Sequence, residues 1–384
     1  MIPIRYNLGS LWVRRTGTLM AVLGIGFTVS IVVTMMSLVH GLESTFVDTG
    51  RDNMLIVIRQ GSQNETNSYF GRNLLPTVKF LTGVAKAPNG DPLAVGENTV
   101  IINSERLKGD SSNAIVRGTS EMGLTLRPDV KIVEGRFFRP GLREIVVSRS
   151  LSKRFRNMRL GDTNHFSRSD WKVVGIFEAG GSAFDSEVWA DYGEISDDWD
   201  RPSYSSILLQ AENAEAAAQI RKRIADDQRI NLQAIPQKKY YADQTSSATG
   251  LKTLGLFIAV VMGIGASFAA MNMMYGAVMA RSKEVATLRA IGFRRRHILA
   301  SFMVESVVLG LAGGILGCAL ALPINGISTG TANFQTFSEV LFNFRITPGI
   351  IVRGLLFASV VGALGGFLPA RRAARARLID IMKQ

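Results

Sequence analysis

The stretch Arg281–Glu305 contains the residues whose types and spacing point most clearly to binding chemistry. It reads RSKEVATLRAIGFRRRHILASFMVE, carries six lysine or arginine residues, and lies between two long apolar runs. Cationic side chains at a membrane face attract anionic lipid head groups or a protein partner. Val285, Leu288 and Ile291 recur every three residues, which predicts a short helix. Gly292 is expected to end that helix, and positive-inside charge alone is the competing explanation for the arginines.

Glu305 is the acidic residue near the membrane that this spacing singles out. It stands where the next apolar run begins, so the positive end of a helix dipole favours its charge and the basic stretch is within reach. One explanation is simple capping at the level of the lipid head groups. The other is that Glu305 anchors the short helix to the third membrane helix, so that a push on one moves the other.

Motifs for nucleotide binding and catalysis are absent from the sequence. There is no G-x-x-x-x-G-K-[ST], G-x-S-x-G, H-E-x-x-H or CxxC. His40, His165 and His297 fall in three separate regions and are not expected to share a metal. We therefore expect a non-catalytic chain without catalytic residues, a metal site or a directly bound cofactor, whose energy source is another subunit.

Four acidic residues cluster in the middle of the sequence, at Asp170, Asp185, Glu187 and Asp191. A cluster of carboxylates can form a functional site, but the surrounding segment has a balanced charge. A solvated acidic face is therefore the favoured interpretation.

Four apolar runs are long enough to cross a hydrocarbon core of about 30 Å. The expected transmembrane helices are 19–42, 253–280, 305–327 and 347–370. Basic residues precede the first run, follow the last, and fill the segment 281–304 between the second and third. The positive-inside rule then places both termini and the segment 281–304 in the cytoplasm. A large segment, 53–237, and a short loop, 328–346, are expected on the outer side.

The net charge of +13 is not evenly distributed. Between Glu43 and Lys252 there are 28 basic and 27 acidic residues, so the excess lies in the cytosolic segments. This pattern indicates membrane orientation and contact with anionic lipid, not binding to nucleic acid. The single cysteine, Cys318, falls inside the third run, so the outer domain is expected to fold without a disulfide.

The outer segment 53–237 alternates strand and helix signals, which predicts a compact α/β or α+β domain. We expect a more variable insertion at about 103–203. Flanking helical patterns extend the first crossing to about residue 52 and fill 238–252, which together would form a stalk. Residues 1–18 are expected to form an amphipathic approach helix and 371–384 a basic cytosolic tail.

Glycines spaced four apart occur in the third and fourth runs. They are Gly310, Gly313, Gly314 and Gly317 in the third, and Gly362 and Gly366 in the fourth. Small residues at this spacing let helix backbones approach closely. We expect these glycines to pack helices within the bundle or between two protomers.

The order Arg-x-Lys-Glu-Val-Ala-x-Leu-Arg-Ala-Ile-Gly, starting at Arg281, resembles the coupling segment of FtsX-like (MacB-type) ABC transporter permeases. The closing sequence 368–374, LPARRAA, resembles the closing motif of that family, although Leu378 stands where the family usually has proline. Residues 135–138 and 160–162 resemble its periplasmic domain. The implied fold is an α-helical membrane protein with four transmembrane helices and an extracytoplasmic α/β (α+β) domain between helices 1 and 2.

The resemblance also implies a function and a set of partners. The chain would convert the motion of two separate ABC ATPase subunits, which bind ATP and Mg²⁺, into movement of its outer domain for export or lipoprotein release. A second permease protomer, a periplasmic adaptor and an outer-membrane duct are further implied partners, and the bacterial inner membrane is the implied location. The residues expected to contact the ATPase are Glu284, Val285, Leu288, Arg289, Ala290 and Gly292.

Two alternatives remain open at the level of sequence. Some family members activate cell-envelope hydrolases instead of exporting molecules. A membrane-tethered sensor or binding module without an ATPase is the alternative from another class.

Overall fold

The computed structural model describes residues 15–47, 49–244, 246–333, 336 and 338–375. The expected approach helix at 1–18 lies outside the described residues except for its last four positions, which belong to the first long helix. The expected basic tail lies outside them beyond residue 375.

Four helices in the described part of the chain are long and apolar enough to cross a membrane, with mean hydropathies of 2.0 to 2.3. They are α1 (Arg15–Val47), α8 (Ser246–Ala280), α10 (Arg295–Ala321) and α11 (Pro348–Arg375). Three of them begin in charged or polar sequence ahead of the apolar run. Charged and polar residues can form a helix, whereas only apolar residues favour the hydrocarbon core of a bilayer. The helical segments are therefore longer than the spans expected from the apolar runs alone.

The remaining described elements are short. The other helices are α2 (Leu74–Lys79), α3 (Glu121–Thr125), α4 (Arg149–Ser152), α5 (Tyr192–Asp198), α6 (Ala214–Asp226), α7 (Gln237–Gln244) and α9 (Ser282–Ala290). The strands are β1 (Met54–Arg59), β2 (Phe70–Gly71), β3 (Ala94–Glu105), β4 (Ser111–Thr119), β5 (Lys131–Gly135), β6 (Glu144–Ser148), β7 (Thr163–Phe166), β8 (Ser169–Glu178), β9 (Glu187–Asp191), β10 (Ser203–Tyr204), β11 (Ser206–Gln210), β12 (Leu232–Pro236), β13 (Ser328–Ala332) and β14 (Glu339–Asn343).

The chain divides into two compact units. The helical unit comprises residues 1–40, 250–327 and 344–384, and the sheet unit comprises residues 41–249 and 328–343. The sheet unit thus takes in the segment between α10 and α11 as well as the large segment between α1 and α8.

Glycines let the helices of the helical unit approach closely. A Cβ atom at Gly310 of α10 would lie 2.5 Å from the carbonyl oxygen of Ala358, and one at Gly362 of α11 would lie 2.6 Å from that of Ser306. Gly314 likewise faces the Cβ of Ala358 at 2.7 Å. At these distances any larger side chain would force α10 and α11 apart.

The other predicted glycines also pack within the chain. A Cβ at Gly313 would lie 2.7 Å from the Cβ of Ile25, and one at Gly317 would lie 2.7 Å from the Cβ of Val29, both on α1. Gly366 faces the hydroxyl of Ser306. These glycines therefore pack helices against one another within one protomer. Their contact with a second protomer stays a prediction.

The sheet unit is built on a ten-stranded mixed sheet with the order β12-β1-β11-β3-β4-β9-β6-β8-β5, in which β7 also pairs with β8. The pairs β4–β9 and β6–β8 are parallel, and the other pairs are antiparallel. The strand β3 pairs with β11 near its start and with β4 near its end. One sheet therefore includes strands outside the expected insertion at 103–203, such as β1 and β11, and strands within it, such as β4 and β9. The apolar core nevertheless forms two separate clusters, one around Val57 and Leu209 and one around Trp171 and Val188.

The segment 328–346, expected as a short external loop, contains a hairpin. β13 and β14 pair antiparallel, with Ser328 opposite Asn343 and Ala332 opposite Glu339. The threonines at 329 and 331 and the apolar run 340–342 favour extended structure. The expectation of a loop rested instead on the short length of the segment between the two apolar runs.

Candidate functional site

The helix α9 follows α8 after the single residue Arg281. Its end is closed by two hydrogen bonds, from the Phe293 N–H to the Leu288 carbonyl oxygen and from the Gly292 N–H to the Arg289 carbonyl oxygen, each 3.1 Å long. Gly292 has a φ of +105°, a conformation that favours glycine. These two bonds with a left-handed glycine form a Schellman motif, which fixes the point where the helix stops.

Arg281 joins this short helix to the interior of the third long helix. The expected position of Glu305 at the start of that helix is wrong, because α10 begins at Arg295 and the polar sequence before the apolar run is already helical, so Glu305 lies ten residues inside the helix and does not cap it. The Nε atom of Arg281 lies 3.1 Å from Oε2 of Glu284, and its Nη1 atom lies 3.0 Å from Oε2 of Glu305. Arg281 and Glu305 are both buried, and the guanidinium lies 5.6 Å from the centre of the Phe302 ring. A buried ion pair holds its two elements in one geometry, because separating the charges would leave each one unpaired.

An apolar cluster packs against the buried side of α9. Val285 is buried together with Met274 of α8 and Ile298 and Phe302 of α10. The cluster also includes three alanines of the closing sequence, Ala370, Ala373 and Ala374. The short helix is therefore packed against three of the long helices.

The predicted contact residues divide into three groups by exposure. Glu284, Ala290 and Gly292 are exposed, Leu288 and Arg289 are half-buried, and Val285 is buried in the apolar cluster. Within this chain Val285 anchors the helix and presents little surface to a partner. Ile291, which was not among the predicted contacts, is 72% exposed at the end of the helix and offers an apolar surface there.

Two family models match this sequence. The model of the MacB-like periplasmic core domain matches residues 18–227, and the model of the FtsX-like permease C-terminal region matches residues 256–378. The first match alone covers more than half of the chain. The chain belongs to the MacB/FtsX-like family of ABC transporter permeases.

Relatives of this permease cover it to different extents. The uncharacterised ABC transporter permease YknZ of Bacillus subtilis is 22% identical over 99% of this chain and 98% of its own length. The macrolide export ATP-binding/permease protein MacB of Escherichia coli is 25% identical over 94% of this chain. The chain spans 57% of that protein and 33% of the MacB protein of Hahella chejuensis, which is 28% identical.

Two solved domains resemble the sheet unit of this permease. The extracellular domain of YknZ from a Gram-positive bacterium is 15% identical, with a TM-score of 0.37 over 48% of this chain and the whole of that one. The periplasmic region of MacB from Actinobacillus actinomycetemcomitans is 11% identical, with a TM-score of 0.39 over 50% of this chain and 92% of that one.

The MacB-like domain of this permease also contains a buried charge cluster that the sequence did not reveal. Its members are Glu65, Glu97, Arg117, Arg127 and Glu187. The Nη1 atom of Arg117 donates to Glu65 and Glu97 at 2.9 Å, and its Nη2 atom donates to Glu187 at 2.7 Å. Arg127 donates to both oxygens of Glu97, at 2.6 and 2.7 Å. Five charges buried among one another hold β3, β4 and β9 in a single arrangement.

Electrostatics in the charge cluster favour the ionised forms. Burial alone would raise the pKa of Glu97, but Arg127 and Arg117 hold it down at about 2. Burial alone would lower the pKa of Arg117, but Glu187, Glu65 and Glu97 raise it well above its usual value. The carboxylate of Glu97 is therefore charged throughout the physiological range.

The expected acidic face is wrong, because its four members do not share a solvated surface. Glu187 is buried on Arg117, and Asp185 is half-buried and accepts hydrogen bonds from the Ala179 and Gly181 N–H groups at 2.8 and 2.6 Å. Burial raises the pKa of Asp185. Asp191 caps the start of α5, and only Asp170, which pairs with His165, is exposed on the surface as expected.

A further buried carboxylate, outside the charge cluster, fixes the hairpin of the permease within the sheet unit. Glu339 of β14 is buried, and its oxygens lie 2.6 Å from Nη2 of Arg106 and 2.8 Å from Nη2 of Arg154. The Leu341 N–H also donates to Oγ of Ser186 at 2.8 Å. The segment between α10 and α11 is therefore bound to the MacB-like domain by charge-assisted hydrogen bonds.

Proposed function

We propose that this permease transmits motion from ATPase subunits at its cytoplasmic face to its outer MacB-like domain, as the membrane component of an export system. The ion pair between Arg281 and Glu305 is the observation that supports this role. It ties the helix that would meet the ATPase to α10 at a point ten residues after α10 begins, and buried charges resist separation. A push on α9 would therefore displace α10 as one body.

The proposal includes the orientation and the partners. Basic residues at the cytoplasmic ends of the helices favour an arrangement with both termini and α9 inside and the sheet unit outside. Two ATPase subunits would bind ATP and Mg²⁺, since the sequence contains no P-loop motif. YknZ, which this chain covers nearly end to end, is named a permease alone, and this favours ATPase subunits on separate chains.

Export is the direction that the relatives favour. The MacB relatives are named macrolide export proteins, and the proposed system would likewise move its substrate outward. In a cell with two membranes a periplasmic adaptor and an outer-membrane duct would continue the path.

A second protomer would complete the assembly. The helix α8 has the smallest buried share of the four long helices, 17% against 33–39%. Its exposed side carries Gly265 and the amide of Asn272, and a polar side chain at membrane depth is best satisfied by a partner helix. This surface is where we propose that two copies meet.

The experiment separates binding of the ATPase from coupling to it. The tagged permease is purified from native membranes in mild detergent, co-purifying proteins are identified by mass spectrometry, and ATP hydrolysis is measured. We expect Arg289→Glu to lose the ATPase, because it reverses a charge on the proposed contact surface. We expect Arg281→Met to keep the ATPase bound while the permease no longer changes the hydrolysis rate.

The control is Lys86→Glu, an exposed charge reversal in the sheet unit, which should leave binding and hydrolysis unchanged. Absence of any co-purifying P-loop ATPase in several detergents would refute the proposed role. Normal coupling in Arg281→Met would refute the part assigned to the ion pair.

A further inference from the structure

The sheet unit contains a cavity of about 380 Å³ that the coupling role does not use. It is lined by the segment after α1, by the loop that leads into β5, and by the turn that follows β8. Its volume is in the range of sites that hold small organic molecules. The charged, polar and apolar side chains of the lining determine which class of molecule the cavity would bind.

The acidic side chains of the lining already have partners. Asp129 accepts from Nε and Nη2 of Arg51 at 3.0 and 2.7 Å. Glu178 lies 2.9 Å from Nη1 of Arg149. These carboxylates are therefore engaged, and the cavity offers no unpaired acid to a cationic ligand.

Three donor groups of the lining lack a partner within the described part of the chain: Nε of Arg127, whose Nη atoms bind Glu97, Oγ of Ser182 and the ammonium of Lys131. Arg127 and Ser182 are buried. An arginine Nε and a lysine ammonium can only donate, so they select for an acceptor oxygen. A buried donor without a partner destabilises the fold, because it has lost its hydrogen bonds to water. A ligand oxygen that accepts from this donor removes that free-energy penalty.

The rest of the lining is mainly apolar. Its polar residues Thr49 and Gln237 are already hydrogen-bonded within the chain, Thr49 with Thr45 and Ala183 and Gln237 with the Arg51 N–H. Leu126, Val130 and Phe184 form buried walls, and Val133 stands partly exposed at the rim. A ligand that fits this surface has an apolar body, because burial of apolar surface supplies most of the affinity in such sites.

We propose that this cavity binds a small carboxylic acid with an apolar body. The carboxylate meets Lys131 and reaches Ser182 and Arg127 directly or through one ordered water, while the body lies against Leu126 and Phe184. The charge cluster behind the wall has three carboxylates and two guanidinium groups, so it does not attract an anion by itself. Selection for the acid therefore depends on Lys131 and the two unpartnered donors.

The test uses three ligands of one shape: 3-phenylpropanoate, 3-phenylpropan-1-ol and 3-phenylpropylamine. Each is titrated by calorimetry into the full-length chain in lipid nanodiscs, with empty nanodiscs subtracted. We expect saturable binding of the acid with a Kd on the order of 1 mM. The alcohol and the amine should bind about tenfold more weakly. Octanoate is titrated in parallel, and tighter binding than 3-phenylpropanoate would indicate an acyl chain from the membrane, whereas weaker binding would indicate a soluble acid.

Variants assign the binding to this cavity. Ser182→Ala and Lys131→Gln should each weaken binding of the acid by about three- to tenfold. Val133→Trp should abolish it by filling the rim. The matched controls Lys222→Gln and Leu142→Trp, both exposed and outside the lining, should leave the Kd unchanged.

Three results would overturn the proposal: no saturable binding of either acid, binding of the amine or alcohol as tight as that of the acid, or an unchanged Kd in Ser182→Ala and Lys131→Gln. The site is independent of the proposed coupling role. Its failure would leave the co-purification and hydrolysis results untouched, and the reverse also holds.

Discussion

Replacing Arg117 by methionine should strongly destabilise the sheet unit. Three carboxylates converge on this guanidinium at 2.7 to 3.1 Å, and Arg117 is 2% exposed. Without it, Glu65 and Glu187 would remain buried without a cationic partner, while Glu97 would retain Arg127. Removing one member of a buried ion pair costs about 3–5 kcal/mol, because the remaining charge is neither hydrated nor paired. For a domain of this size each 1 kcal/mol lowers the midpoint of thermal unfolding by about 2–4 °C, so we expect a decrease of about 10 °C.

Tryptophan fluorescence reports this unfolding in the full-length protein. Three of the four tryptophans, Trp171, Trp189 and Trp199, lie in the sheet unit, and Nε1 of Trp189 donates to Glu187 of the cluster at 2.8 Å. The control is Arg229→Met. It removes an ion pair with Asp227 in which the arginine is 87% exposed.

The control should change the midpoint little, because exposed ion pairs contribute about 0–1 kcal/mol. Equal midpoints for Arg117→Met and Arg229→Met would contradict the reasoning. So would an Arg117→Met variant as stable as the parent, since it would show that the buried carboxylates do not depend on this cation.

Three further predictions follow from other contacts. The pKa of Glu97 is about 2 in the fold against an ordinary 4.5, so the ionised carboxylate contributes about 3 kcal/mol to the free energy of unfolding above pH 4.5, and this contribution is lost as the pH falls towards 2. In urea unfolding, the free energy of unfolding should therefore decrease less between pH 4.5 and pH 2 for Glu97→Gln than for the parent. Glu339→Gln should speed amide hydrogen exchange in the hairpin 328–343 by about tenfold, because two arginines lose an anionic partner, and unchanged exchange would exclude that anchoring role. Gly310→Val should lower the thermal stability of the helical unit, whereas Gly24→Val, where a Cβ meets nothing within 4 Å, should not, and equal effects would argue against close packing at Gly310.

The four long helices could be predicted from the sequence because a membrane span is a local property. Each needs only a sufficient length of uncharged apolar residues, which composition shows directly. The end of α9 at Gly292 was predictable for a similar reason, since the glycine that closes a helix acts within a few residues. The strand β5 was not recognised, because its sequence Lys131–Gly135 is short, contains one charge of each sign, and gains its place from pairing with β8.

The charge cluster and the hairpin contacts could not be predicted, because their partners are far apart in the chain. Arg117 and Glu187 are separated by 70 residues, and Arg106 and Glu339 by 233. A partial signal was present: Arg117 is the one charged residue in the segment 114–118, AIVRG, and a buried charge in a strand needs a partner. The sequence indicated that this charge required explanation, but only the pairing of the strands identifies which charges meet.

In the proposed coupling role, the hairpin would add a further route for motion between the two units. The chain crosses from one unit to the other at residues 40/41, 249/250, 327/328 and 343/344. A flexible loop between α10 and α11 would have left only the first two crossings to carry force. Because Glu339 binds this segment to Arg106 and Arg154 within the sheet unit, α10 and α11 are also joined to that unit through a fixed element. If α9 displaces α10 through Arg281, the proposed movement therefore has a second route outward, and Glu339→Gln should weaken coupling while leaving ATPase binding intact.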